Sequence, residues 1–184
     1  MSARFRVFLD TCVIFPQTLR DVLLTAAEHD LYFPLWSADV LDEMERNLVE
    51  NRALTQQQTA HLREEMISAF PDSTVSGYQP LIASMTNHEG DRHVLAAAVR
   101  GNAEVIVTEN LRHFPTAACE PYEIRPCSVD DFLSDLLSVD HERVCDVLRS
   151  IERDRRNLPL ADLVRVIGIV APQFQRGVSF HLGI

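Results

Sequence analysis

Apolar and polar positions divide the chain into short apolar runs and longer stretches with helical spacing. Short apolar runs bounded by turn residues predict strands, and apolar residues three and four positions apart predict amphipathic helices. Pro34 places the apolar run at residues 31–36 at a sheet edge or at a strand end. The predicted strands are residues 5–9, 31–36, 104–108 and 122–125, and the predicted helices are 17–29, the segment after Ser37, the segment after Thr55, and 91–100. This alternation favours an α/β fold with a central parallel sheet.

The pattern changes after about residue 127, where three helical stretches follow one another. They begin after Ser128, after Asp140 and at Pro159, and each has an apolar stripe that must pack against another surface. We therefore divide the chain into an α/β domain, residues 4–127, and a helical C-terminal extension, residues 128–184. The last residues, 178–184, alternate apolar and small or polar side chains, which predicts an extended, half-buried tail.

Composition narrows the class of protein. No apolar run approaches the ~18 residues of a membrane span, and no secretory signal pattern opens the chain, so we expect a cytoplasmic protein. The four cysteines form no C-x-x-C pair, which argues against a disulfide framework or a structural zinc site. The net charge of −10 argues against bulk attraction to nucleic acid, although arginines or bound metal ions can reverse the field locally.

Three carboxylates lie on otherwise apolar elements. Asp10 ends the first strand, at the edge where parallel sheets bind ligands, Asp91 lies on the apolar stripe of its helix, and Glu43 borders another stripe. Carboxylates close together repel one another, and a divalent cation removes that repulsion. Oxygen ligands alone indicate Mg²⁺ or Mn²⁺, a type of site that hydrolyses phosphodiesters. The seven histidines are spread along the sequence, so we expect no histidine cluster and assign none of them to a metal.

Four short motifs occur in order along residues 4–126. They are VFLDTCV at 7–13, Trp36-Ser37-x5-Glu43, DRHVLAAA at 91–98, and VTENLRHFP at 107–115. Together they resemble the PIN-domain family, and specifically the VapC-type toxin ribonucleases of bacterial toxin–antitoxin pairs.

The resemblance implies a PIN-like three-layer domain and an Mg²⁺- or Mn²⁺-dependent endoribonuclease. Its metal-binding and catalytic acids would be Asp10, Glu43 and Asp91. The family has a fourth acid just after the last strand, where this chain has Asn110, a weaker ligand, and the adjacent Glu109 is expected to point elsewhere. Further support for the ligands is expected from the hydroxyls of Thr11 and Thr108.

The resemblance also implies partners. These are an RNA substrate, a cognate VapB-like antitoxin and, as one arrangement that it allows, a homodimer. Arg92 and Arg112 flank the expected site and are candidates for contact with the RNA backbone. Two other classes compete with the nuclease. One is a PIN fold with weak catalysis that acts as an RNA- or protein-binding scaffold. The other is a phosphohydrolase of the haloacid dehalogenase type. That family has a second Asp two residues after the first, where this chain has Cys12, and this argues against it.

Overall fold

The computed structural model describes residues 5–51, 53–155 and 158–184, so residue 4, where the predicted domain begins, lies outside it. A five-stranded sheet in which all described pairings are parallel confirms the predicted α/β fold. The strands are β1 Arg6–Leu9, β2 Phe33–Ser37, β3 Thr74–Val75, β4 Val105–Val107 and β5 Arg125–Cys127. The helices are α1 Thr11–Ile14, α2 Gln17–Glu28, α3 Ala38–Glu50, α4 Gln56–Ala69, α5 Arg92–Arg100, α6 Thr116–Cys119, α7 Val129–Val139, α8 His141–Asp154, α9 Leu160–Ile167 and α10 Pro172–Leu182.

The sheet has the strand order β3-β2-β1-β4-β5, so the direction in which successive strands are added to the sheet reverses at β1. Strands β2 and β3 are added on one side of β1, and β4 and β5 on the other. In a parallel sheet such a reversal opens a crevice at the carboxyl ends of the two central strands. Asp10 directly follows β1 and Thr108 directly follows β4, so both lie at this crevice.

Local capping fixes how the chain leaves each central strand. Helix α3 begins immediately after β2, and the Ser37 hydroxyl accepts a hydrogen bond from the Val40 N–H at 3.3 Å. This cap satisfies one of the free amides of the first helical turn. Because no loop intervenes between β2 and α3, the position of Glu43 is tied to the sheet.

The sheet differs from the prediction in its details. Of the two positions that Pro34 allowed, the strand end is the observed one: Pro34 is the second residue of β2, which lies between β1 and β3, and β3 pairs only with Trp36 and Ser37, beyond the proline. The two-residue strand β3 was not predicted from the sequence. Strand β5 begins at residue 125 because a 3-10 turn and Glu123, with a φ of 58°, occupy the preceding positions.

The C-terminal helices pack on the sheet domain. Helices α8 and α9 contact α2, and α10 contacts α7. The ring of Phe132 in α7 meets Tyr32 edge to face, with centroids 5.1 Å apart, and Arg155 forms an ion pair with Asp21 of α2. The buried apolar residues of both parts form one continuous core. The division of the chain at residue 127 stays a prediction.

The expectation of an extended tail over 178–184 is wrong, because Pro172–Leu182 is a helix. Its buried residues are Phe174 and Val178, one helical turn apart, while Phe180 is 83% exposed. The alternation in the sequence therefore does not describe which side chains are buried. Across the described residues, no helix is long and apolar enough to cross a membrane.

Candidate active site

Asp10 is the most deeply buried carboxylate of the crevice, at 3% exposure. Its Oδ1 accepts a hydrogen bond from the Thr11 N–H at 2.7 Å, and its Oδ2 accepts one from the Thr108 hydroxyl at 2.7 Å. Burial raises the pKa of Asp10, and the nearby charge of Asp91 adds to this effect, while the hydrogen bonds oppose it. The carboxylate is thus oriented by donors in a place where negative charge is disfavoured.

Thr11 connects Asp10 to Glu43. Its N–H binds Asp10, and its hydroxyl lies 2.9 Å from Glu43 Oε2, to which it donates. Because Thr11 opens α1 and Glu43 lies in α3, this one residue holds carboxylates from two elements in a fixed relation.

Asp91 approaches from the turn before α5. Its Oδ2 lies 2.8 Å from Nδ1 of His113 and 3.3 Å from Nδ1 of His88. The two imidazole rings are stacked, with centroids 4.1 Å apart and planes 14° apart. The expectation that the histidines do not cluster is therefore wrong.

Glu43 and Asp91 line one open cleft of about 480 Å³. Asp10 does not line this cleft; it is buried, and Thr11 connects it to Glu43. The structure therefore links Asp10 with Glu43 and places Glu43 and Asp91 on one cleft, but among the described residues the ligand atoms of the three acids do not all lie within 4.8 Å of one another. Their shared role at a metal stays a prediction. The other residues that line the cleft are Asp39, Asp42, Arg46, Gly90 and His93.

The loop after β4 carries the residues predicted to assist. The Asn110 N–H donates to the Thr108 hydroxyl at 3.0 Å, so the hydroxyl is directed towards Asp10. Glu109 Oε1 accepts from the Val129 N–H at 3.0 Å, so its carboxylate caps α7. Its side chain therefore points away from the acids.

The two predicted arginines differ in their surroundings. Arg92 is half-buried, and its Nε donates to the main-chain oxygen of Asn87 at 3.4 Å. Arg112 is exposed, and its Nε donates to Nε2 of His113 at 3.2 Å. Both arginines therefore lie beside Asp91 and its two neighbouring histidines, His88 and His113.

Several residues at the site were not predicted. Cys12 donates its thiol to Asp10 Oδ2 at 3.3 Å and accepts the Glu109 N–H at 3.3 Å. Burial, and then the charge of Asp10, raises the pKa of Cys12 to about 12, so it remains a thiol. Arg46 lines the cleft with Glu43. The sequence could have predicted this, because Arg46 follows Glu43 by three positions on one helix, and residues at that spacing share a helix face. No comparable signal in the sequence brings His113 to Asp91, since loops from different parts of the chain meet there.

The fold and the crevice define a PIN domain. The family model described as "PIN domain" matches residues 6–112. A relative from Mycobacterium tuberculosis, named "Putative ribonuclease VapC50", is 47% identical over 118 residues, which cover 59% of this chain and 70% of the relative. The chain belongs to the PIN-domain family and is of the VapC type within it. No solved structure gave a match.

Proposed function

We propose that this protein is a metal-dependent endoribonuclease that hydrolyses RNA phosphodiesters and acts as the toxin of a type II toxin–antitoxin pair. The observation that carries the proposal is the Thr11 link between Asp10 and Glu43, beside Asp91, at the crevice where strand order reverses. The relative named as a ribonuclease supports the same chemistry.

The donor types of the three acids fit Mg²⁺ or Mn²⁺. They supply only oxygen ligands, which these ions prefer. Burial raises the pKa of Asp10, the charge of Asp91 adds to this effect, and a divalent cation would favour the ionised carboxylate against both. When bound, such an ion lowers the pKa of a water molecule and neutralises charge on the phosphate.

The remaining residues of the site orient the acids. Thr108 and Cys12 both donate to Asp10 Oδ2, and Thr11 holds Glu43. Asn110 is a neutral group where the family has a fourth acid, so its role is to position Thr108 and to serve at most as a weak ligand. We assign the holding of the metal to Asp10, Glu43 and Asp91.

The RNA backbone needs positive charge beside these acids. Arg46 lies on the wall of the cleft, and Arg92 and Arg112 lie beside Asp91. Phosphate contacts of this kind position a strand without reading its sequence. We propose that these arginines align the strand along the cleft, so that the scissile phosphate reaches the acids.

Loss of one metal ligand tests the function. Asp10→Asn should lower the rate of RNA cleavage at least ~10²-fold, because losing even a supporting residue of a metal site costs up to ~10²-fold. Excess EDTA should abolish cleavage by the wild type. Asp146→Asn is the control, since Asp146 is exposed on α8 and pairs with Arg149. Full activity in EDTA or in Asp10→Asn would contradict the proposal, and RNA binding without any cleavage would favour a scaffold.

The contribution of Arg46 can be measured separately. Arg46→Ala should weaken RNA binding and reduce the slope of log affinity against log salt by about 0.7, because one phosphate contact to a single strand is lost. Arg165→Ala is the matched control, since Arg165 is exposed on α9 and pairs with Asp162. An unchanged salt slope in Arg46→Ala would remove Arg46 from the RNA path.

The antitoxin is proposed from the acidic cleft as well as from the family. A cleft lined by Asp39, Asp42, Glu43 and Asp91 is electrostatically suited to a basic segment. Expression of this protein alone should slow bacterial growth, and co-expression of the small protein encoded next to it should restore growth. Harmless expression of a cleavage-active protein in its own host would contradict the toxin role.

A further inference from the structure

We propose that His88, Asp91 and His113 form a second metal site, one that takes a transition-metal ion of the Zn²⁺ class. Among the residues that the structure describes, they are the one group of three or more His, Cys, Asp or Glu side chains whose ligand atoms all lie within 4.8 Å of one another. The oxygen-ligand chemistry of the proposed nuclease site does not use the two imidazoles.

The spacing of the ligand atoms matches a small tetrahedral ion. Two ligands held ~2.0–2.1 Å from one ion at a tetrahedral angle lie about 3.3 Å apart. The Asp91 oxygen Oδ2 lies 3.3 Å from Nδ1 of His88 and 2.8 Å from Nδ1 of His113. Because the two stacked rings are nearly parallel, their in-plane nitrogen lone pairs do not converge on one ion, so one ring must rotate on binding. His88, whose side chain is 56% exposed, has room for this rotation.

Main-chain hydrogen bonds hold the three residues in place without a metal. The His88 N–H donates to the main-chain oxygen of His113 at 3.1 Å, and the Asp91 N–H donates to that of His88 at 2.9 Å. The His113 N–H donates to the main-chain oxygen of Asn110 at 2.8 Å. Because these bonds tie the two loops together, the ligands do not have to be gathered from flexible segments.

The donor types select the ion. Two imidazole nitrogens and one carboxylate suit Zn²⁺, Co²⁺ or Ni²⁺, whereas Mg²⁺ prefers oxygen and water. With three protein ligands, a fourth position stays open for water. Arg112 donates to Nε2 of His113, so an ion on Nδ1 would move the ring proton to Nε2 and displace this exposed arginine.

Binding is tested by titrating Zn²⁺ calorimetrically into the full chain in excess Mg²⁺, with Co²⁺ absorption as the spectroscopic probe. We expect one Zn²⁺ per chain. The double variant His88→Gln/His113→Gln should lose at least ~100-fold in Zn²⁺ affinity, since even partners outside the ligand shell cost ~10–100-fold.

A second stacked histidine pair provides the matched control. His141 and His181 lie with ring centroids 4.4 Å apart and planes 23° apart. The variant His141→Gln/His181→Gln should bind Zn²⁺ like the wild type. Equal Zn²⁺ affinity in the wild type and in His88→Gln/His113→Gln, or loss of binding in the control, would overturn the site.

A single substitution tests the site even if the double variant does not fold. The side chain of His88 is 56% exposed, so His88→Gln should leave the circular dichroism spectrum unchanged. It should still weaken Zn²⁺ binding at least ~10-fold. A folded His88→Gln protein with unchanged Zn²⁺ affinity would also overturn the site.

The site has a consequence for cleavage, and this step rests on the proposed function. Asp91 belongs to both sites, so Zn²⁺ held by the histidines should withdraw it from the acids and inhibit Mg²⁺-supported cleavage. His88→Gln/His113→Gln should resist this inhibition. If the wild type cleaves no RNA, the proposed function fails while the Zn²⁺ titration still decides the site. If Zn²⁺ binds the histidines and cleavage continues unchanged, the sharing of Asp91 is wrong.

Discussion

Thr108 illustrates how much of the site depends on single small side chains. Its hydroxyl donates to Asp10 at 2.7 Å and accepts from the Asn110 N–H at 3.0 Å, although Thr108 and Asp10 are 98 positions apart in the chain. The hydrogen bond to Asp10 opposes the burial that raises the pKa of this carboxyl. The hydroxyl thereby keeps Asp10 closer to the ionised form that a metal needs.

Thr108→Val should separate this role from simple packing, because valine keeps the shape and removes the hydroxyl. The Asn110 N–H and Asp10 would each lose a partner, so we expect a loss of about 1–3 kcal/mol in unfolding free energy. Metal affinity should fall by about 10–100-fold, as it does when a ligand loses its supporting hydrogen bond. Denaturant unfolding and Mn²⁺ calorimetry measure the two effects.

Thr59→Val is the control for Thr108→Val. Thr59 is also buried, and its hydroxyl donates to the Gln56 oxygen within α4, on a different part of the molecule. It should cost some stability and leave metal affinity unchanged. If both variants bind Mn²⁺ like the wild type, the hydroxyl of Thr108 does not support Asp10.

At the scale of elements, hydrophobic periodicity predicted the helices that bury a full stripe. Helix α5 buries Val94, Leu95 and Ala98, as its spacing indicated, and this places Asp91 at its start. The same reasoning failed for α10, because a short alternation also fits a helix that buries only one residue per turn. It could not bring His88 and His113 together, since their meeting depends on loops that carry no periodicity.

The correction for α10 can be tested with two phenylalanines of the same helix. Phe174 is 1% exposed and Phe180 is 83% exposed. Phe174→Ala should therefore destabilise the protein by about 3–5 kcal/mol, the usual cost of emptying a buried aromatic site. Phe180→Ala should change stability by less than about 0.5 kcal/mol. Comparable large losses in both variants, measured by denaturant unfolding, would favour an extended tail that buries Phe180.

At the scale of the whole molecule, strand order decides where the site lies. The reversal beside β1 brings the ends of β1 and β4 together, and the parallel α/β pattern predicted from the sequence already placed ligands at this edge. Glu43 and Asp91 reach one cleft, and Asp10 is linked to Glu43 through Thr11, because each acid follows or borders a buried element. The packing of the C-terminal helices could not be predicted. An apolar stripe on a helix shows that this face is buried, but it does not identify the surface that covers it.

The C-terminal helices are expected to fold together with the sheet domain as one cooperative unit. Phe132 packs against Tyr32, Arg155 pairs with Asp21, and the apolar core is continuous. The single tryptophan, Trp36, is buried in β2 and so reports on the sheet domain alone. Its fluorescence and the far-ultraviolet circular dichroism of the whole chain should give the same unfolding midpoint.

A chain that ends at residue 127 retains Trp36 and tests the same point. Truncation at residue 127 deletes α7 to α10 and so uncovers the face of α2 and the ring of Tyr32. The unfolding midpoint followed by Trp36 fluorescence should therefore move to a clearly lower temperature. Phe132→Ala should shift it in the same direction by less, because it removes one contact and leaves the helices in place. Separate transitions for the two probes in the full chain, or an unchanged Trp36 midpoint after truncation, would mean that residues 128–184 form an independent accessory. A coincident, lowered transition would mean that the crevice holding Asp10 depends on helices outside the segment matched by the PIN-domain model.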